Sequence, residues 1–109
     1  PSASAYSAAK GAVHSWTRTA AGTWGKHNIR VNAILPAIAT PMYYAARERS
    51  SEEENITAHW RNSAPISLGQ EYGDPDNDLA PVMVFFASEA SKFITGQLIP
   101  VDGGQTAGL

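Results

Sequence analysis

Tyr6 and Lys10 stand four positions apart near the start of the chain. On a helix, that spacing brings both side chains to one face. A lone phenol, with a pKa of about 10, moves protons poorly at neutral pH. An ammonium beside it stabilises the phenolate, so the hydroxyl can exchange a proton with an alcohol or carbonyl oxygen. Spacing alone more often marks an exposed helix with an unrelated tyrosine and lysine. Other candidates point to less. His14, His27 and His59 lack ligand-like spacing and the chain has no cysteine, which argues against a metal site, a thiolate nucleophile and a disulfide framework. Glu52-Glu53-Glu54 reads as a solvated helix start, Asp102-Gly103-Gly104 as a strand-ending turn, and Trp16, Trp24 and Trp60 as core or interface residues. Asn55-Ile56-Thr57 fits the glycosylation pattern but has no secretion signal to give it meaning.

The elements that must position these residues follow from periodicity. Residues 3–24 are rich in alanine, the strongest helix former, with Ser2 or Ser4 as the N-cap and Gly25 as the stop. Val13, Trp16, Ala20 and Trp24 recur at helical spacing and predict the buried stripe. Residues 29–35 predict a short buried parallel strand, since Ile34-Leu35 makes its end apolar on both faces, and Pro36 ends it. Thr40-Pro41 starts a helix over 42–50, and Ser51 starts another, with Ile56, His59 and Trp60 as its inner face and Ala64-Pro65 as its close. Residues 67–78 read as a surface loop. Asp78 is expected to cap a helix over 79–90, whose buried side is Leu79, Val82, Met83, Phe85 and Phe86. Residues 93–96 form a turn and 97–101 a second strand. The fold class is therefore α/β, but two buried strands among so many helices make only part of a sheet.

Length and composition set bounds on function. The 109 residues fit one domain at most, and 43% apolar residues suffice for a core. Eight basic and ten acidic residues give a net charge of −2 with no basic block, which argues against nucleic acid as a partner. No apolar run approaches the ~20 residues of a membrane span, and no signal-peptide pattern opens the chain. A soluble, cytoplasmic protein is the expectation.

Four blocks, in order, resemble the short-chain dehydrogenase/reductase family: Tyr6-Ser7-Ala8-Ala9-Lys10-Gly11-Ala12-Val13; the run from Asn28 to Pro36; Ile38-Ala39-Thr40-Pro41-Met42; and the run from Phe93 to Gly104. Together they cover essentially the whole chain, and the combination is far more specific than a lone Tyr-x-x-x-Lys. The resemblance implies the C-terminal half of a Rossmann-like, doubly wound parallel sheet. It also implies hydride transfer between NAD or NADP and a small-molecule carbonyl or secondary alcohol. Tyr6 matches the catalytic tyrosine. Lys10 matches the lysine that eases that tyrosine's proton loss and bonds the nicotinamide ribose. Pro36, Ala37, Ile38 and Thr40 match the loop whose backbone and threonine hold the nicotinamide carboxamide. Residues 37–66 match the substrate lid, where Met42, Tyr43, Tyr44 and Trp60 are candidates for an apolar pocket; ordinary helix packing explains them equally well. The first helix resembles the one that packs across subunits, which implies a homo-oligomer, dimer or tetramer.

The sequence departs from the family pattern in three places. Pro36-Ala37-Ile38-Ala39-Thr40 lacks the usual glycine and is one residue shorter. The stretch from Leu68 to Leu79 is longer than usual and reads as a tolerated surface insertion. The Gly-rich turn that cradles the pyrophosphate, the catalytic serine and the active-site asparagine all belong before Tyr6, so the 109 residues alone are not expected to turn over. The alternative reading is a truncated, catalytically silent product that works as an oligomerisation or interaction module. A third is a family member turned to epimerase or dehydratase chemistry.

Overall fold

The computed structural model describes residues 2–107, without the Ser2 side chain. Helix α1 runs over Ser2–Trp24, as its alanine content predicts. Ser4 therefore lies inside the helix and does not cap it, and the Ser2 side chain is outside the described residues. A single tight turn, Gly25–His27, follows. The residue that reverses the chain is Asn28, at φ 59°, and not Gly25. Asparagine tolerates this left-handed conformation better than most residues.

Strands β1 (Ala33–Pro36) and β2 (Leu98–Val101) pair in parallel, from Ala33 opposite Leu98 to Pro36 opposite Val101. The parallel arrangement matches expectation, but the first strand is shorter than the predicted 29–35. Residues 30–32 are held by other bonds. The Arg30 guanidinium donates to the Phe86 and Ile94 carbonyls at 2.7 and 3.3 Å, and Asn32 Nδ2 donates to the Ile94 carbonyl at 3.0 Å. The Val31 N–H donates to Thr95 Oγ1 at 3.0 Å. These contacts dock the strand's approach onto the turn before β2 and fix the register that follows.

Helix α2 (Pro41–Arg49) starts as read: Thr40 Oγ1 accepts from the Tyr43 N–H at 3.3 Å, with proline in the first turn. Helix α3 (Glu52–Ala58) opens on a capping box. Ser51 Oγ accepts from the Glu54 N–H at 3.2 Å, and Glu54 Oε2 accepts from the Ser51 N–H at 2.8 Å. It widens into a π-type turn over His59–Ser63. A second such turn, Pro75–Leu79, leads into α4 (Ala80–Ala87). Its cap is Asp74, not the expected Asp78: Asp74 Oδ2 accepts from the Asp76 and Asn77 N–H groups at 3.1 and 2.8 Å. Asp78 instead accepts from the Asp74 N–H at 2.6 Å.

The core is small and built from small side chains: Thr17, Ala20 and Ala21 of α1, Ala37 and Ala39 after β1, and Ile66, Ser63 and Ser91. The predicted stripe on α1 is thus corrected. Only its alanine is buried, while Val13, Trp16 and Trp24 stand exposed, the two tryptophans meeting edge to face at 5.5 Å. The small residues bury because they let α1 lie close to the sheet; Ala21 Cβ sits 3.3 Å from where a Cβ on Gly96 would be. The predicted inner sides of α3 and α4 are likewise open. Ile56, Trp60, Met83 and Phe85 are exposed, and no residue of α4 is buried.

Candidate active site

α1 carries Tyr6, Lys10 and His14 along one face, and β1 brings Pro36 to them. These residues line an open cleft of about 410 Å³ with Ile34, Leu35, Pro100, Asp102, Gln105 and Thr106. Tyr6 is 66% exposed, so its hydroxyl is accessible to a ligand. The Lys10 Nζ lies 5.5 Å from the centroid of the Tyr6 ring, a cation–π distance. The pair predicted from four-residue spacing is therefore a pair in space.

Asp102 ties together the turn that lines one side of the cleft. Asp102 Oδ2 accepts from the Thr106 hydroxyl at 2.6 Å and the Thr106 N–H at 3.1 Å, while Oδ1 accepts from the Gly104 N–H at 3.0 Å. The Thr106 hydroxyl bond, against the opposing pull of partial burial and with help from the backbone donors, holds this carboxyl below its usual range. Gly103 makes the turn at φ 60°, where a Cβ would strike Ile66 at 2.6 Å.

The segment from Pro36 to Thr40 leaves the carboxyl end of β1 and is pinned on two sides. The Ala37 N–H donates to the Val101 carbonyl at 2.9 Å, which prolongs the ladder by one bond. The Gly73 N–H donates to the Ala37 carbonyl at 3.0 Å, and the Ala39 N–H donates to the Gly73 carbonyl at 2.9 Å, a one-residue parallel bridge centred on Ile38. That bridge turns the neighbours' groups toward Gly73 and the N–H and C=O of Ile38 to the other side. Neither Ile38 group has a partner among the described residues. Ala37 and Ile38 line a second cleft that adjoins the first through Pro100 and Asp102. Thr40 is exposed, with its oxygen accepting at the α2 cap and its hydroxyl proton still available.

Sequence reasoning missed Gly73. The long stretch from Leu68 to Leu79 lies mostly at the surface, as expected, but this glycine is tied to the loop after β1. The lid candidates do not gather into one apolar pocket. Tyr43 and Tyr44 line a predominantly polar cleft with Arg47, His59, Ser63, Glu71 and Tyr72, and the Tyr43 ring meets Tyr72 edge to face at 4.9 Å. Met42 and Trp60 do not line that cleft and are 77% and 68% exposed. Among the described residues there is no cluster of metal-ligating side chains, and no helix is long and apolar enough to cross a membrane.

Comparison with known proteins gives the chain's family. A family model described as enoyl-(acyl carrier protein) reductase matches residues 1–106. The chain is 39% identical over 105 residues to a galactitol 2-dehydrogenase (L-tagatose-forming) of Cereibacter sphaeroides, covering 95% of this chain and 38% of that protein. It is 36% identical over 107 residues to a tropinone reductase homolog of Datura stramonium, covering 97% and 38%. An oxidoreductase of the short chain dehydrogenase/reductase family from Burkholderia thailandensis superposes with a TM-score of 0.78 at 34% identity, over 95% of this chain and 39% of that one. The chain spans about 38% of the length of these relatives. Its two parallel strands and flanking helices are thus part of a Rossmann-like α/β sheet, and the chain belongs to the short-chain dehydrogenase/reductase family.

Proposed function

We propose that the protein containing this chain is an NAD- or NADP-dependent oxidoreductase acting on a small-molecule carbonyl or secondary alcohol, with Tyr6 as its acid/base. The observation that carries this reading is the Tyr6–Lys10 pair, exposed in one cleft beside Pro36 at the carboxyl end of a parallel strand. That end of such a sheet is where ligands bind. The donor set suits a nicotinamide riboside. The unpartnered Ile38 N–H and C=O match the acceptor and donor of a carboxamide, the Thr40 hydroxyl proton offers another bond, and the Lys10 ammonium suits ribose hydroxyls. A bound NAD or NADP supplies the hydride for the carbonyl carbon, or takes it in the reverse direction. Tyr6 donates its hydroxyl proton to the carbonyl oxygen, or withdraws the proton from the alcohol. Lys10 offsets the negative charge that develops on the phenolate. Pro36 and Ala37 hold the loop in line with β1, so that Ile38 and Thr40 present their groups at fixed positions.

Residues 37–66 act as the substrate lid. Tyr43 belongs to its polar cleft, and Met42 and Trp60 give its exposed apolar surface for an apolar substrate. The whole chain forms the C-terminal part of one Rossmann-like domain, and the small-residue character of α1 suits packing in a homo-oligomer. The test is the natural protein with NADH or NADPH and a panel of ketones. Tyr6→Phe is expected to lower kcat by about 100-fold or more while cofactor binding persists. A Tyr6→Phe variant as active as wild type would overturn the assignment.

A further inference from the structure

Gly73 lies 35 positions from Ile38 in sequence, yet its backbone bonds to both neighbours of that residue. A Cβ placed on Gly73 would stand 2.8 Å from Ile38 Cδ1, 3.1 Å from Asp78 Cβ and 3.2 Å from Asp78 Oδ2. The Asp78 wall is fixed. Its Oδ2 accepts from the Asp74 N–H at 2.6 Å, and Asp74 in turn caps the turn that leads into α4. The Ile38 wall is the one that can give, either by swinging the side chain into the adjoining cleft or by lifting the loop off its bridge.

We infer that Gly73 is a positioning residue for the loop that seats the nicotinamide: lacking a side chain, it lets Ala37–Ala39 lie against it and so fixes where the Ile38 peptide groups and side chain stand. This inference rests on the proposed function of the loop. The longer stretch around Gly73 then has a role. It carries the backbone partner that holds the shortened, glycine-free loop in place. A displacement of about 1 Å at such a contact is enough to cost ~100-fold in a positioned reaction, so one methyl group at position 73 is a sensitive probe.

The experiment uses the natural protein containing this chain, with Gly73→Ala, Ile38→Val and the double variant. Ile38→Val removes the Cδ1 atom that the new methyl meets. Three quantities are read: the Kd for NADH and NADPH by fluorescence, the separate KM values for cofactor and carbonyl substrate, and the hydrogen exchange rate of the Ala39 amide. Gly73→Ala is expected to raise cofactor Kd and KM by about 10-fold, with the carbonyl KM little changed, and to speed Ala39 exchange. The double variant is expected to return cofactor Kd to within about 3-fold of wild type. A general loss of folding would move both KM values and would not be rescued by a smaller residue at position 38. Unchanged cofactor Kd in Gly73→Ala, or no rescue in the double variant, overturns the inference. If Gly73→Ala does not fold, the double variant decides alone: folded with near-native Kd supports the inference, and anything else overturns it. A wild-type protein that binds neither cofactor sinks the proposed function, and with it the cofactor role of Gly73. Ala39 exchange then judges the bridge itself, since an unchanged rate in Gly73→Ala overturns that too.

Discussion

Asp102 is where a single residue most clearly links the end of β2 to the Tyr6 cleft. Its carboxylate is bonded by the Thr106 hydroxyl and by the Gly104 and Thr106 amides, and the hydroxyl bond is the largest cause of its depressed pKa. A carboxyl with a folded pKa below its unfolded value stabilises the fold above that unfolded value, about 3.9, and loses the contribution as pH falls through the folded pKa. The turn at 102–106 is therefore expected to hold at neutral pH and to loosen below about pH 4. Thr106→Val removes the hydroxyl but keeps the shape. It is expected to raise the Asp102 pKa toward the ordinary carboxylate value, as read by NMR titration of the side-chain carboxyl. A titration identical to wild type would mean that the backbone donors alone set it. The four-residue spacing put Tyr6 and Lys10 on one face, because helix geometry is local, but it took the order of the four family-like blocks to single the pair out. Gly73 could not be found that way, because its partners Ala37 and Ala39 are brought to it by tertiary packing.

Among the elements, local chemistry was legible where the cap and the helix are neighbours in sequence. Thr40-Pro41 and Ser51 start α2 and α3 as read, each through a side-chain oxygen that accepts from an amide three positions on, while the returning bond from Glu54 is what the structure adds. Choosing between Asp74 and Asp78 was harder, since both carboxylates precede an apolar run and both accept from backbone amides of the same turn, Asp74 from Asp76 and Asn77 and Asp78 from Asp74. The extent of β1 failed for another reason. Alternation continues back to Ile29, but a ladder needs a neighbouring strand, and opposite Val31 stands the turn before β2, where its N–H meets the Thr95 hydroxyl and its carbonyl the Gly96 N–H. α3 tests the weight of a local signal, because its residues are at most half-buried and little packing supports them. Ser51→Ala deletes one bond of the capping box and is expected to cost about 1 kcal/mol of helix stability. Faster hydrogen exchange confined to residues 52–58 would report it. Exchange unchanged there would mean that contacts with the π-type turn, not the cap, hold α3.

At the scale of the whole molecule, the mismatch between apolar content and burial has a quantitative form. A compact 11.6 kDa protein exposes roughly 5,800 Å², whereas this chain exposes 8063 Å². Its radius of gyration is 16.4 Å, against about 13 Å for a compact domain of this length. The excess surface includes large apolar side chains that the periodicity marked for burial, Trp16, Met83 and Phe85, and a fully exposed Phe93 in the turn before β2. The helices form where the spacing placed them, but among the described residues no surface packs over those side chains. The chain spans about 38% of its relatives' length, and exposed apolar faces of this extent are surfaces suited to packing against other protein. Without that cover, the hydrophobic effect drives self-association. The 109 residues expressed alone are expected to bind a hydrophobic dye strongly and to sediment as aggregates, and the natural protein at equal concentration to leave the dye silent and to sediment as one discrete species. Substituting Phe93→Ser and Val84→Ser should reduce the dye signal of the isolated chain, as both side chains are well exposed and support none of its own core. A monomeric, dye-silent chain would show that these faces close on one another in solution, and that the interaction-module reading has no surface to work with.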